Sequence, residues 1–309
     1  TALGYIAGQS ITTGASNVLL GSQAGDALTT GSNNVAVGRG ALGAEDTGGK
    51  NTAIGHEALN TLDAGGNGND TAVGFEAGKA MTTGVANTLV GSQSGISLTS
   101  GSWNTSVGYN SLVNEDANGY NTAVGAGTLQ TQNAGADAYN VAVGYNAGND
   151  ITTGVQNTIV GGLAGDALTT GSNNVAIGNN ALSTEDAHGR NVAVGHNALM
   201  TQDAGADAYN IAMGYNAGKL ITTGTSNTIL GGLAGDALTA ASSSVAIGTQ
   251  ALSSEDDHSF NVAVGARALE TLNAGAHGYN VAVGYVAGTA MTTGTLNTLV
   301  GGLSGDALT

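Results

Sequence analysis

Pairs of neighbouring carboxylates recur in this sequence at a constant interval. The pairs are Glu45-Asp46, Glu115-Asp116, Glu185-Asp186 and Glu255-Asp256. One repeated unit further along the chain, each aspartate is followed by another oxygen-bearing side chain: Asp63, Asn133, Asp203 and Asn273. Two such turns close together could bind Ca²⁺, which takes six to eight oxygen ligands. The candidate calcium ligands are Asp46, Asp63, Asp186 and Asp203. A solvated acidic stripe is the favoured interpretation, so no metal or other cofactor is predicted.

Catalytic chemistry is not favoured by the remaining reactive residues. The five histidines lack zinc-type spacing, and the chain has no cysteine. No Gly-x-Ser-x-Gly elbow occurs, and a site repeated four times lacks the single pocket that an enzyme needs. The segment 37–42 fits one hexapeptide of left-handed β-helix acyltransferases, but such a coil requires three. Paired threonines suggest an ice-binding face, but acidic turns interrupt the array. We predict a protein that is not an enzyme and has no catalytic residues.

Aromatic side chains are the best candidates for contact with a partner. Several precede the position of a recurring asparagine, and the candidate ligand contacts are Trp103, Tyr139, Tyr209 and Tyr279. Such rings stack on sugar faces, or they cover the edges of a core and the contacts between subunits. Packing is the favoured role.

An asparagine stands four positions before a glycine in fifteen of seventeen repeated units. These residues are Asn17, Asn34, Asn51, Asn87, Asn104, Asn121, Asn140, Asn157, Asn174, Asn191, Asn210, Asn227, Asn261, Asn280 and Asn297. The two exceptions are Asp70 and Ser244. Because asparagine tolerates turn geometry and its amide can bond equivalent residues in neighbouring turns, we predict a structural ladder rather than a row of ligand-binding amides.

The glycines that close these units are spaced in the repeating order 17-17-17-19, and four units make one block. The blocks close at Gly4, Gly74, Gly144, Gly214 and Gly284. A fixed short period is the mark of a repeat architecture. We therefore predict one repetitive domain over residues 1–309, forming a section of a longer chain.

The residues before each closing glycine alternate in a pattern that is typical of a short strand. An aliphatic residue precedes the glycine, and Val, Ile or Thr lies two positions earlier. Both strand faces are apolar, so both are expected to be covered. A unit of this length allows two or three short strands and as many turns. The sequence predicts an all-β fold, a parallel β-solenoid of about 18 coils without helices.

Composition limits the partners of this protein. The formal net charge is −16 with only six Lys and Arg residues, which speaks against nucleic acids and anionic membranes. No apolar run approaches the length of a membrane span. One aliphatic side chain per coil is a small core for ordering a whole unit of the chain. Several chains are therefore expected to pack together.

The stretch from Asn174 to Ala181, Asn-Val-Ala-Ile-Gly-Asn-Asn-Ala, resembles the YadA-like head repeat of trimeric autotransporter adhesins, a repeat that also occurs in phage tail fibres. The resemblance covers all 18 units, although the coils of that family are commonly shorter than the units of this chain. It implies a left-handed β-roll, a homotrimer, and attachment to a cell-surface receptor or glycan. The long four-unit block favours the shaft of a phage tail fibre, and a bacterial adhesin head is the alternative. Either one implies an extracellular location, on a virion or a cell surface.

Overall fold

The structure is a computed structural model of the chain, and it describes residues 1–308. Within those residues it contains eighteen short β-strands and no helix. The strands are β1 (Ala2–Leu3), β2 (Val18–Leu20), β3 (Val35–Val37), β4 (Thr52–Ile54), β5 (Thr71–Val73), β6 (Thr88–Val90), β7 (Thr105–Val107), β8 (Thr122–Val124), β9 (Val141–Val143), β10 (Thr158–Val160), β11 (Val175–Ile177), β12 (Val192–Val194), β13 (Ile211–Met213), β14 (Thr228–Leu230), β15 (Val245–Ile247), β16 (Val262–Val264), β17 (Val281–Val283) and β18 (Thr298–Val300).

The chain divides into two compact units, Thr1–Gln156 and Asn157–Thr309. The first unit holds β1–β9 and the second holds β10–β18. In both, every strand pairs in parallel with the next strand along the chain. The register joins equivalent residues, so Ala36 lies beside Ala53. The predicted all-β parallel solenoid, with one turn per repeat and about eighteen turns, is confirmed.

The interior is built from four positions of each turn. The middle residue of the strand points inward, as Ala36 does. The third, fourth and seventh residues after the closing glycine also turn inward, for example Ala41, Leu42 and Leu28. All four of these side chains are fully buried. The seventh residue after the closing glycine, called position seven below, is Leu, Ile or Met in most turns. A turn that carries a polar residue at position seven therefore places that residue in the interior.

The aliphatic residue before each closing glycine lies on the outer face of the strand. Leu20, Met213 and Leu230 remain 44%, 41% and 45% exposed. Within the single chain this outer face is uncovered, so coverage of both strand faces requires partner chains. Since successive residues of a strand point to opposite sides, the small middle residue takes the inner side and the larger neighbours face outward.

Close packing of successive turns requires glycine at the end of each strand. Gly38 has φ +135°, and a Cβ atom there would lie 2.3 Å from the carbonyl oxygen of Gly55 in the next turn. A methyl group cannot be accommodated at that distance. The closing glycines therefore recur because the backbone of the next turn fills the space that a side chain would need.

The two additional residues of the longest repeat lie in an exposed turn. Around Gly65 and Gly66 no atom lies within 4 Å of an added Cβ. Each turn contains only one strand, and the residues that follow the glycine form turns, so the expectation of two or three strands per coil is wrong. Among the described residues, none belongs to a helix long and apolar enough to cross a membrane.

Candidate functional site

The asparagines before the strands form a ladder of side-chain to backbone hydrogen bonds. The Oδ1 atom of Asn17 accepts from the backbone N–H of Asn34 at 2.9 Å, and Oδ1 of Asn34 accepts from the N–H of Asn51 at 2.9 Å. The pattern continues in the second unit, where Oδ1 of Asn174 accepts from the N–H of Asn191 at 3.0 Å. Each of these side chains thus satisfies a backbone donor in the next turn.

The side-chain amide nitrogens of this ladder donate hydrogen bonds to backbone carbonyl oxygens further along the chain. Nδ2 of Asn34 donates to the carbonyl oxygen of Gly48 at 2.9 Å, and Nδ2 of Asn227 donates to that of Ala241 at 2.8 Å. Both side chains are buried. The amides that make these bonds are inside the protein and are occupied by the fold, so a ligand has no access to them. In three turns the amide is buried without a hydrogen-bond partner: Asn51, Asn121 and Asn191.

Asp70 interrupts the ladder with a buried carboxylate. Its Oδ1 accepts from the backbone N–H and the side-chain amide of Asn87, at 2.8 and 3.2 Å. Its Oδ2 has no hydrogen-bond partner. Burial raises the pKa of Asp70 to about 7, although the two bonds from Asn87 oppose the shift.

The four glutamates of the acidic pairs occupy interior position seven, where most other turns carry Leu, Ile or Met and two carry glutamine, Gln132 and Gln202. They are Glu45, Glu115, Glu185 and Glu255, and each is fully buried. The interpretation as a solvated acidic stripe is therefore wrong for the glutamates. The signal in the sequence was their alignment with Leu28 and Leu62, each of which stands seven positions after its closing glycine.

Backbone donors partly compensate the burial of these glutamates. Oε1 of Glu45 accepts from the N–H of Gly48 at 2.6 Å, and its Oε2 accepts from the N–H of Ala64 in the following turn at 3.4 Å. Desolvation nevertheless raises the pKa of each of the four carboxyls, that of Glu185 to about 7.

The structure brings all four candidate calcium ligands close to buried glutamates. Asp46 and Asp63 contribute to one cluster with Glu45. Asp186 and Asp203 contribute to a second cluster with Glu185 and His188. In both clusters one ligand atom of each residue lies within 4.8 Å of the others. The aspartates are the half-buried or exposed members, and the glutamates are the buried ones.

Two histidines lie beside these glutamates, which a search for zinc-type spacing did not predict. Nδ1 of His188 is 3.5 Å from Oε1 of Glu185, and Nδ1 of His258 is 3.2 Å from Oε1 of Glu255. Each histidine follows its glutamate by three positions. That short spacing, combined with the interior position of the glutamate, was the available signal.

The aromatic residues form short stacks on the surface. Tyr120 and Tyr139 stack with ring centroids 4.9 Å apart, and Phe260 and Tyr279 stack at 5.0 Å. The ring of Tyr209 carries the guanidinium of Arg190 over its face. The four candidate contacts are all more than half exposed: Trp103, Tyr139, Tyr209 and Tyr279. These rings are available to an external partner.

A second surface feature is the outer face of the strands, which is aliphatic in both units. In the first unit Val18 and Val141 are exposed on this face. In the second unit Ile177 and Ile211 are exposed in the same way. A regular row of aliphatic side chains on one face differs from the scattered apolar residues that occur on most surfaces.

No protein-family model matches this chain, and no curated protein matches its sequence significantly.

Proposed function

We propose that this chain is a structural and adhesive fibre protein, in which identical chains pack against one another and attach a virion or a cell to a host surface. The observation that carries the proposal is the row of aliphatic residues on the outer strand face. Every turn has Leu, Ile, Val or, once, Met at this position, and Leu20 in the first unit and Leu230 in the second are exposed examples. Burial of each such residue would stabilise an assembly by about 1–2 kcal/mol.

A homotrimer of parallel chains is the assembly we infer. Identical chains with the same period can align their aliphatic rows turn by turn, so each chain offers its partners the same surface repeatedly. The resemblance to the YadA-like head repeat supports three chains. A phage tail fibre and a bacterial adhesin head share this arrangement, and the long four-unit block favours the fibre.

Sedimentation equilibrium of the chain tests the assembly. We expect the mass of three chains, and we expect the double variant Ile177→Lys/Met213→Lys to shift the population to the monomer. Thr249→Lys is a matched control, because Thr249 is exposed just beyond a closing glycine, outside the strand face. A parent chain that sediments as a monomer at micromolar concentration would contradict the proposal.

The adhesive role depends on the exposed rings. Multivalent display on identical chains converts weak single contacts into useful avidity. We expect the assembled protein to bind a subset of cell-surface glycans on an array, and we expect Tyr139→Ala to reduce the signal more than Tyr139→Phe. If no glycan binds, or if both variants behave like the parent, these rings are not the receptor contact.

A further inference from the structure

We propose that the acidic turn of the second unit is a binding site for a divalent first-row transition-metal ion, with Zn²⁺ as the representative probe, and that its ligands are Glu185, Asp186, His188 and Asp203. One ligand atom from each residue lies within 4.8 Å of all the others. Opposite ligands of an ion with bonds of about 2.0–2.4 Å are about 4.0–4.8 Å apart. The four groups are therefore close enough to surround a single ion after small side-chain adjustments.

Two buried atoms in this cluster lack the partners that buried polar atoms normally have. Oε2 of Glu185 has no partner within hydrogen-bonding distance, although the backbone N–H of Ala204 faces this carboxyl, and the glutamate side chain is fully buried. Nδ1 of His188 also makes none, although it is 3.5 Å from Oε1 of Glu185. An unsatisfied buried polar atom costs about 1–3 kcal/mol. A bound cation would satisfy both atoms at once.

The types of donor select the class of metal. An imidazole nitrogen suits Zn²⁺ and its first-row neighbours, whereas Ca²⁺ takes six to eight oxygen ligands. One imidazole with three carboxylates gives a mixed nitrogen and oxygen set, and either ring nitrogen of His188 is able to serve as the ligand. The chain has no cysteine, so a thiolate site is excluded.

The negative charges of the cluster also favour a bound cation. One carboxylate oxygen each of Glu185, Asp186 and Asp203 lies within 4.8 Å of the others, so three acidic groups crowd one small region. No lysine or arginine forms an ion pair with these carboxylates among the described residues. A divalent cation would remove the repulsion that the protein itself leaves uncompensated.

The equivalent turns of the other blocks form a natural substitution series. The position of His188 is occupied, in the first, second and fourth blocks, by Gly48, Asn118 and His258. The position of Asp203 is aspartate in the first block and asparagine in the second and fourth: Asp63, Asn133 and Asn273. Only the third block combines the histidine with both aspartates.

Hydrogen bonding in the other blocks agrees with this difference. In the fourth block Oε1 of Glu255 is paired with His258, and its Oε2 accepts from Asn261 at 3.4 Å. In the second block the side-chain amide of Asn118 donates to Oε1 of Glu115 at 3.0 Å. Oε2 of Glu115 is unpartnered too, but a neutral amide replaces the histidine beside it.

A purely structural alternative exists within the ladder. Nδ2 of Asn191 is also without a partner, and its equivalent Asn261 donates to Glu255. A small movement of Asn191 towards Glu185 would satisfy both groups without an ion. This alternative predicts no zinc binding that depends on Asp203 or His188. A measurement of zinc binding therefore distinguishes the structural alternative from the metal site.

Isothermal titration of the metal-stripped full chain with Zn²⁺ tests the proposal. We expect saturable binding whose tightest site has a stoichiometry of one ion per chain and is tighter for Zn²⁺ than for Ca²⁺. Asp203→Asn, which reproduces the composition of the fourth block, and His188→Asn should each weaken this site at least tenfold. Zinc binding should also release protons, which titrations in two buffers of different ionisation enthalpy detect.

His258→Asn is the matched control, and it should leave the tightest site unchanged. Asp203 is exposed, so Asp203→Asn should fold as the parent does, and melting in the presence of a chelator checks this. Absence of saturable Zn²⁺ binding overturns the proposal. So does equal affinity of the parent, Asp203→Asn and His188→Asn, a preference for Ca²⁺, or loss of the site in His258→Asn alone.

Discussion

Two neighbouring turns of the second unit place opposite kinds of side chain at the same interior position. Leu168 and Glu185 both stand seven positions after a closing glycine, and both are fully buried. The side chain of Leu168 fills space that two glycines leave open. A Cβ added to Gly165 would lie 2.9 Å from one δ carbon of Leu168, and a Cβ added to Gly171 would lie 2.7 Å from the other. The glutamate instead accepts a hydrogen bond from the N–H of His188 at 3.2 Å.

The difference shows that the backbone ladder, rather than the interior, defines the shape of a turn. The same register of strands accommodates an aliphatic group that fills volume and a carboxylate that recruits backbone donors. At position four, counted from the closing glycine, Gly165 precedes the leucine, whereas Leu182 precedes the glutamate. The interior volume at position four thus differs between the two turns while the strand register is unchanged.

The largest expected effect comes from emptying the apolar turn. Leu168→Ala removes a fully buried side chain from between neighbouring turns and leaves a cavity. We expect a loss of about 2–5 kcal/mol in the free energy of unfolding, measured by chemical denaturation. Leu303→Ala, at an exposed leucine, serves as control and should cost less than about 0.5 kcal/mol. Equal losses in the two variants would show that the interior contributes little.

Adding volume to the same turn should also destabilise the protein. Gly165→Ala introduces a Cβ 2.9 Å from Cδ1 of Leu168, at a residue with φ +50°. Overpacking and the left-handed backbone together should cost about 1–3 kcal/mol. The double variant Gly165→Ala/Leu168→Ala should cost less than the sum of the single variants, because the second change opens the space that the first needs. Strict additivity would show that the Cβ at position 165 and the Leu168 side chain do not compete for the same space.

The acidic turn should respond to pH where the apolar turn does not. Burial raises the pKa of Glu185 from 4.5 to about 7. A raised pKa stabilises the folded state below pH 4.5, and this contribution is lost as the pH rises through 7. In the presence of a chelator, Glu185→Gln should therefore gain about 1–2 kcal/mol over the parent between pH 5 and pH 8, a partial effect because water reaches the exposed Asp203 nearby.

Thermal melts of Glu185→Gln across this pH range measure the gain. The difference between variant and parent should be near its minimum at pH 4 and should rise towards pH 8. A difference that is constant with pH would mean that Glu185 keeps an ordinary pKa in the folded protein. Leu168→Ala provides the pH-independent reference for the same unit.

The smallest expected effect is a difference between two acidic turns that carry a glutamate at the same interior position, Glu115 and Glu185. Asn118→Ala removes a side-chain hydrogen bond of 3.0 Å to Glu115 and should cost about 1 kcal/mol. The equivalent His188→Ala removes an imidazole that makes no hydrogen bond through Nδ1, so its cost without metal should be about 0.5 kcal/mol or less. Unfolding of both variants in chelator measures the difference. If His188→Ala costs more than Asn118→Ala, His188 stabilises the turn directly.

Most of the fold follows from periodic positions in the sequence. The closing glycines and the asparagines before each strand predict the strands, their parallel order and the number of turns, because both residue types have backbone-specific roles that recur. The direction of each side chain was harder to predict. In Asn34-Val35-Ala36-Val37 the larger residues suggest a core, yet of the three strand residues the alanine is the buried one.

The buried glutamates were not predicted because charge is normally a sign of exposure. Glu185 departs from that rule, and the backbone N–H of His188 faces its carboxylate. A pair of carboxylates in a polar stretch, such as Glu185-Asp186, resembles a surface turn. The neighbouring aspartate therefore also favoured the incorrect prediction that the glutamate is exposed to solvent. Alignment of residues by their distance from the closing glycine would have placed Glu185 with Leu168.

Parallel pairing in register has a consequence for how such a gene can change. The interior side chains described above contact residues of their own turn and of the neighbouring turns, and the order of turn lengths and closing glycines repeats with each block. Unequal crossing-over between equivalent points of two blocks therefore removes or adds a whole block and keeps the strand register. Loss of a single turn, in contrast, would bring a glutamate next to a neighbour for which it was not selected. Selection can thus adjust the number of blocks by recombination, while point mutation is left to alter individual surfaces.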